Sequence, residues 1–114
     1  MQYLLLIYSD EKRWANMDEA AQGTDIGKCI AFGEEFAPHI TGSNSLQPTT
    51  AATTVRVRNG KRVTTDGPFA ETKEQLAGYY LVETANLDEA IAMAEKNPIA
   101  FHGSIEVRPI RKLS

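Results

Sequence analysis

The sequence predicts an α+β fold, one antiparallel sheet with both helices on a single face. Three observations carry that expectation. The runs "YLLLIY" at 3–8 and "QLAGYYLVET" at 75–84 have the unbroken apolar character of strands inside a sheet. Each is followed by a segment with helical spacing of its apolar residues. Between them, Asn59-Gly60 sits in a run of alternating residues, the signature of a tight hairpin. A chain of 114 residues fits one core, and a single domain over 1–114 is expected.

Taken in order, the first strand directs Tyr3, Leu5 and Ile7 to one face and Leu4, Leu6 and Tyr8 to the other, before Ser9-Asp10 closes it. Between Asp18 and Ala37, Ile26, Cys29, Ile30, Phe36 and Ala37 recur at helical spacing, and Pro38 marks the end. Gly23, Gly27 and Gly33 each cost about 1 kcal/mol against alanine inside a helix, so the first half is expected to be broken or frayed. The polar stretch 41–54 has room for one short edge strand around Leu46. In "TTVRVRNGKRVTT" a two-residue turn at Asn59-Gly60 fixes the register, placing Arg58 opposite Lys61, Val57 opposite Arg62 and Arg56 opposite Val63. Neither face of that hairpin is purely apolar, so it projects from the core instead of filling it. The second helix is expected over 86–98, with Asn86 as its cap, Glu89 three residues on, a stripe of Leu87, Ala90, Ile91 and Ala94, and Pro98 at its close. The last strand, "GSIEVRPI", sets Ile105, Val107 and Pro109 against Glu106, Arg108 and Ile110.

The order strand, helix, hairpin and strand, helix, strand is that of a ferredoxin-like sandwich with an inserted β-hairpin. Helices on one face leave the other face to water, yet the first strand and the 76–82 strand carry large apolar side chains on both. A second copy of the sheet in a symmetric homodimer is the economical cover. Net charge −3 and a pI near 5.3 argue against a general affinity for nucleic acid. Arg56, Arg58, Lys61 and Arg62 make the hairpin basic, which is read first as solvated decoration. Cys29 is the only cysteine and forms no internal disulfide, and Tyr3–Tyr8 is too short for a signal peptide or membrane span. A cytoplasmic location is the default.

The segment "TDGPFAETKEQLAGYYLVE", with "YLLLIY", "LDEAIAMAEKNP" and "IEVRPI", resembles the DGPF branch of the YCII-related family along nearly the whole chain. The resemblance implies a dimeric α+β barrel. Among distant relatives it points to a dehydrochlorinase, and among related barrels to isomerases and monooxygenases. It also implies a link to extracytoplasmic-function sigma factors, through the genes that members of this branch often neighbour. Enzyme-like members use a histidine early in the first helical region, paired with an aspartate. This chain has only His39, at the end of the first helix, and His102, so that dyad is not carried over.

Site candidates come from the polar stretch 66–75 and the final strand. Gly67 before Pro68 turns the chain abruptly, Asp66 is placed to accept backbone N–H groups there, and Phe69 to pin the turn to the core. Glu71, Lys73, Glu74 and Gln75 enter a central strand at what would be the barrel mouth, where ligand-binding groups tend to sit. Glu106 and Arg108 face the enclosed interior if Ile105 and Val107 meet the helices. One reading makes Asp66, Glu71 and Glu106 proton carriers, with Lys73, Arg108, Tyr79 and Tyr80 binding a polar or anionic substrate of an isomerase or lyase. The other makes Asp66 a turn residue and pairs Glu106 with Arg108 or with Lys73 in a structural ion pair. Tyr79 and Tyr80 point to opposite faces. His102 is read as a surface or capping residue and Cys29 as core. No phosphate loop, nucleophile elbow or metal-ligand cluster is present, so no cofactor or metal is expected. A non-catalytic ligand-binding or regulatory protein is the alternative class.

Overall fold

The computed structural model describes residues 1–113. In chain order its elements are β1 (Gln2–Ser9), α1 (Glu11–Ala15), α2 (Glu19–Glu35), β2 (Ile40–Ser45), β3 (Thr53–Arg58), β4 (Lys61–Asp66), β5 (Gln75–Glu83), α3 (Leu87–Glu95) and β6 (Ser104–Pro109). Short 3-10 turns lie at Thr49–Ala51 and Pro98–Phe101. The main sheet runs β2-β5-β1-β6 with antiparallel neighbours, the ferredoxin-like order, and β3-β4 forms a separate two-stranded sheet.

The alternation of β1 decides the layers. Tyr3, Leu5 and Ile7 are buried with Val82, Phe32, Ala90, Met93 and Ala94, and Ile105 and Val107 pack against this core. Leu4, Leu6 and Tyr8, on the opposite face, are only half-buried. The register continues that division, since Leu4 and Leu6 lie opposite Leu81 and Tyr79 on one side and Arg108 and Glu106 on the other. No element of the described chain covers this open face.

Two helical expectations are corrected. α2 is one unbroken helix of 17 residues, started by the Asp18 carboxylate accepting from the Ala21 N–H at 2.8 Å. Its buried stripe is rotated from the expected one: Phe32 is buried and Cys29 and Phe36 half-buried, whereas Ile26 and Ile30 are 50% and 57% exposed. Phe32 stacks obliquely on Phe36 and edge-on to Tyr80, with centroids 4.9 and 5.1 Å apart. Docking two aromatic rings buries more area than docking two isoleucines, and that gain outweighs the glycine cost. In α3 likewise Met93 joins Ala90 and Ala94 in the core, while Leu87 and Ile91 are largely exposed. α3 has the expected Asn86 cap, whose side chain accepts from the Glu89 N–H, but it ends at Glu95 and Pro98 opens the following 3-10 turn.

The edge strand lies at 40–45, just ahead of Leu46, whose N–H donates to the Ala77 carbonyl at 2.8 Å. The hairpin has the expected register, with Asn59 at φ 52° and Gly60 at φ 74°. Gly67 adopts φ 94° before Pro68, as the abrupt turn requires. Phe69, however, is 77% exposed and pins nothing to the core: the 67–74 loop leaves with the hairpin instead of returning over the sheet.

Candidate functional site

The sequence's candidates are spread over two places. On the open face, Arg108 clasps the Glu106 carboxylate through Nε at 2.9 Å and through Nη2 as well, and both side chains remain well exposed. Tyr79 shares this face and its hydroxyl accepts from Asn44 Nδ2 at 2.8 Å. Asp66 ends β4 opposite Thr53, and Glu71 and Lys73 are exposed in the loop that follows. The structure therefore joins Glu106 to Arg108, while Asp66, Glu71 and Lys73 make no side-chain hydrogen bond or ion pair among the described residues. Glu74, at the foot of β5, instead accepts from Ser104 Oγ at 2.8 Å.

On the other face, between α2 and the Pro98–Phe101 turn, lies a groove of about 640 Å³, within the size range of small-molecule sites. Its walls come from local rules. Asp10 caps α1 by accepting from the Lys12 N–H at 2.9 Å, and Gln22 Nε2 of α2 donates to the Trp14 carbonyl at 2.9 Å, which ties α1 to α2. Arg13 then reaches Asp25 across the two helices at 3.4 Å. Ten residues along α2, or about 15 Å, Glu35 meets Lys96 at 3.9 Å, so an ion pair marks each end of one wall. Lys28, Cys29 and Phe32 lie between them.

The opposite wall is set by the 3-10 turn. Asn97 caps it, its Oδ1 accepting from the Ile99 N–H at 3.0 Å. A Cβ at Gly103 would collide with the Tyr8 carbonyl oxygen, so only glycine lets the chain close against β1. That closure leaves the preceding residue, His102, on the groove.

Three groups here are electrostatically displaced. His102 has its pKa lowered, first by partial burial and then by Arg13, while Asp25 and Glu74 pull it back. The Cys29 thiol is pushed up by burial and by Asp25. Beneath the groove, Tyr80 is raised by burial and then by Cys29, with the Asn97 amide acting in the opposite sense. That amide lies near the Tyr80 hydroxyl but outside hydrogen-bond geometry, and its Nδ2 is buried without a partner among the described residues. The chemistry available is thus a neutral imidazole, a protonated thiol, a protonated phenol and the cations Arg13 and Lys28.

His102 is exposed, as sequence reasoning placed it, and Cys29 is half-buried instead of core; what the sequence did not show is that both line one groove with Asp25 and Arg13. Only "FHG", where glycine forces the chain against β1, held a signal for it. Tyr80 points to this helix side and Tyr79 to the open side, as alternation required. Among the described residues no group of three or more His, Cys, Asp or Glu is placed to hold a metal ion. No described helix is long and apolar enough to cross a membrane.

A ferredoxin-like sheet with a small-molecule-sized groove of mixed charged and apolar lining on its helix side defines the class. The chain belongs to the YCII-related domain family, which matches residues 1–114. It is 40% identical over 115 residues to an uncharacterised protein of Rhizobium meliloti, covering 96% of this chain and 92% of that one. Among solved structures it resembles the 5-chloro-2-hydroxyhydroquinone dehydrochlorinase of Burkholderia phenoliruptrix, in complex with 2,5-dihydroxybenzoquinone, with a TM-score of 0.59. That match covers 97% of this chain and 94% of the other at 12% identity, a likeness of fold.

Proposed function

We propose that the protein is a small-molecule acid/base enzyme, of isomerase or lyase type, acting on a planar, oxygenated and anionic compound in the groove beside α2. The observation that carries this is the convergence of His102, Asp25, Arg13, Lys28 and Cys29 on one cavity of about 640 Å³. A lowered His102 pKa keeps its imidazole neutral and proton-accepting near pH 7. His102 would remove a proton from the substrate, and Arg13 and Lys28 would meet the charge that develops. The proton returns at another atom in isomerisation, or is lost with a leaving group in elimination. The ligand of the structurally similar dehydrochlorinase, a planar hydroxyquinone, supports this substrate class.

The test is binding of 2,5-dihydroxybenzoquinone followed by absorbance and calorimetry in the wild type, His102→Gln and Arg13→Ala. Saturable binding that weakens about tenfold or more in either variant, without a change in melting, is the expected result. Absence of binding, or binding indifferent to both substitutions, would reject the groove.

We further propose a homodimer in which a second copy covers the open face. The chain is flat, 47 × 46 × 19 Å, and its radius of gyration of 16.1 Å exceeds the roughly 13 Å of a compact domain near this length. Leu4, Leu6, Tyr8, Tyr79 and Leu81 are half-exposed on the uncovered side. In this reading the Glu106–Arg108 pair belongs to the sheet-to-sheet interior, where two paired charges are neutralised without a ligand.

A further inference from the structure

The β3-β4 hairpin is a built element with nothing in its own chain to rest on. Its ladder is in register from Thr53↔Asp66 to Arg58↔Lys61, and its base is clasped by the Gly67 N–H donating to the Ala52 carbonyl at 2.6 Å and Thr54 Oγ1 donating to the Gly67 carbonyl at 2.8 Å. Yet every residue from 53 to 66 except Thr54 is exposed. Val55, Val57 and Val63 are 58%, 63% and 45% exposed. A lone two-stranded hairpin is at best marginally stable in water.

Its charges sharpen the point. The register puts Arg56, Arg58 and Lys61 on one face, with Arg58 directly across from Lys61, and like charges in that relation repel. Val55 and Val57 share the other face with Arg62 and Thr64. Four basic residues and one acidic residue give the hairpin a charge of +3, so a chain of net charge −3 leaves −6 on the remainder. The complement to this basic, valine-bearing hairpin is therefore the acidic body of the chain itself, which its own arm does not reach.

We infer that the hairpin is an arm that docks on the acidic body of a second copy, each protomer clasping the other; this rests on the homodimer proposed above. Reciprocal docking by the face of Arg56, Arg58, Lys61 and Val63 neutralises the Arg58/Lys61 repulsion and removes Val63 from water, once in each protomer.

Hydrogen exchange on the full chain tests it, at concentrations where light scattering gives a dimer and after dilution to monomer. Amides of 55–58 and 61–65 should exchange about a hundredfold more slowly in the dimer, and the protection should vanish on dilution. The double variant Arg56→Glu/Arg58→Glu, on the docking face, should weaken self-association about tenfold or more, with a smaller salt dependence and an unchanged helix content. A dimer whose arm exchanges as fast as a free peptide would overturn the arm and leave the dimer standing. Protection that survives in the monomer, or that requires added duplex DNA, would also overturn it. A chain monomeric at every concentration would remove the dimer and the arm together.

Discussion

At the scale of single residues, three side chains that look ordinary in sequence acquire chemistry from their neighbours. His102 has a folded-state pKa below the ordinary histidine value of about 6.5, chiefly through partial burial and Arg13. The neutral form therefore persists as pH falls to that value and is lost only as pH falls through the lower, folded-state one. The acid limb of ligand binding or turnover should lie below about pH 6.5 and disappear in His102→Gln, and an NMR titration that puts His102 above 6.5 would contradict it. Cys29, raised by burial and Asp25, is a protonated thiol at neutral pH. Alkylation by iodoacetamide should be slower than for a free cysteine, should accelerate only above about pH 8.5, and should be blocked by a bound groove ligand; fast labelling at pH 7 would refute the half-buried placement. Phe32, 3% exposed and edge-on to Tyr80, is the joint between α2 and the sheet. Phe32→Ala should lower stability by about 3 kcal/mol or more in a denaturant titration.

At the scale of elements, the decisive contacts are made by aromatic rings and glycine backbones. α2 holds together across three glycines because its Phe32 and Phe36 dock, and the cavity beside it exists because the 98–103 turn closes on β1 at a glycine. A Cβ at Gly103 meets the Tyr8 carbonyl, and one at Gly78 would lie 2.7 Å from the Asn44 carbonyl oxygen. Both neighbours are backbone and cannot swing aside. Gly103→Ala should cost about 1–3 kcal/mol and move the turn that carries His102, so ligand binding should fall along with the melting temperature. Gly60→Ala strains a residue at φ 74° but sits at the tip of the arm. It should disturb hairpin amides while leaving the melting of the main core unchanged, as native-state exchange would show.

At the scale of the whole molecule, a sheet covered by helices on one side only leaves Leu4 and Leu6 in the middle of an uncovered apolar face. Dimerisation there predicts that Leu6→Lys yields a monomer by light scattering at micromolar concentration, with far-ultraviolet circular dichroism unchanged, because Leu6 contributes nothing to the helix-side core. A wild-type monomer at that concentration would count against the covered face. Arg108→Ala belongs to the same scale: it should weaken association more than it affects the fold of the protomer, since Arg108 and Glu106 stand on the face to be covered.

The sequence by itself determined the order of elements along the chain, the inserted hairpin with its register, and the two-faced character of β1 and β5, because period-2 alternation and a two-residue Asn-Gly turn are local rules that tertiary context rarely overrides. It also placed Tyr79 and Tyr80 on opposite faces and Glu106 beside Arg108, since i and i+2 on a strand share a side. Tertiary structure decided the rest. Which of two apolar stripes α2 buries depends on the Tyr80 ring it meets, and whether Phe69 is held depends on where the hairpin carries its loop. The groove joins Arg13, Asp25, Cys29 and His102, residues up to 89 positions apart in the chain. No spacing rule spans that distance, because only the docking of α2 and the closure at Gly103 bring those side chains to one cavity.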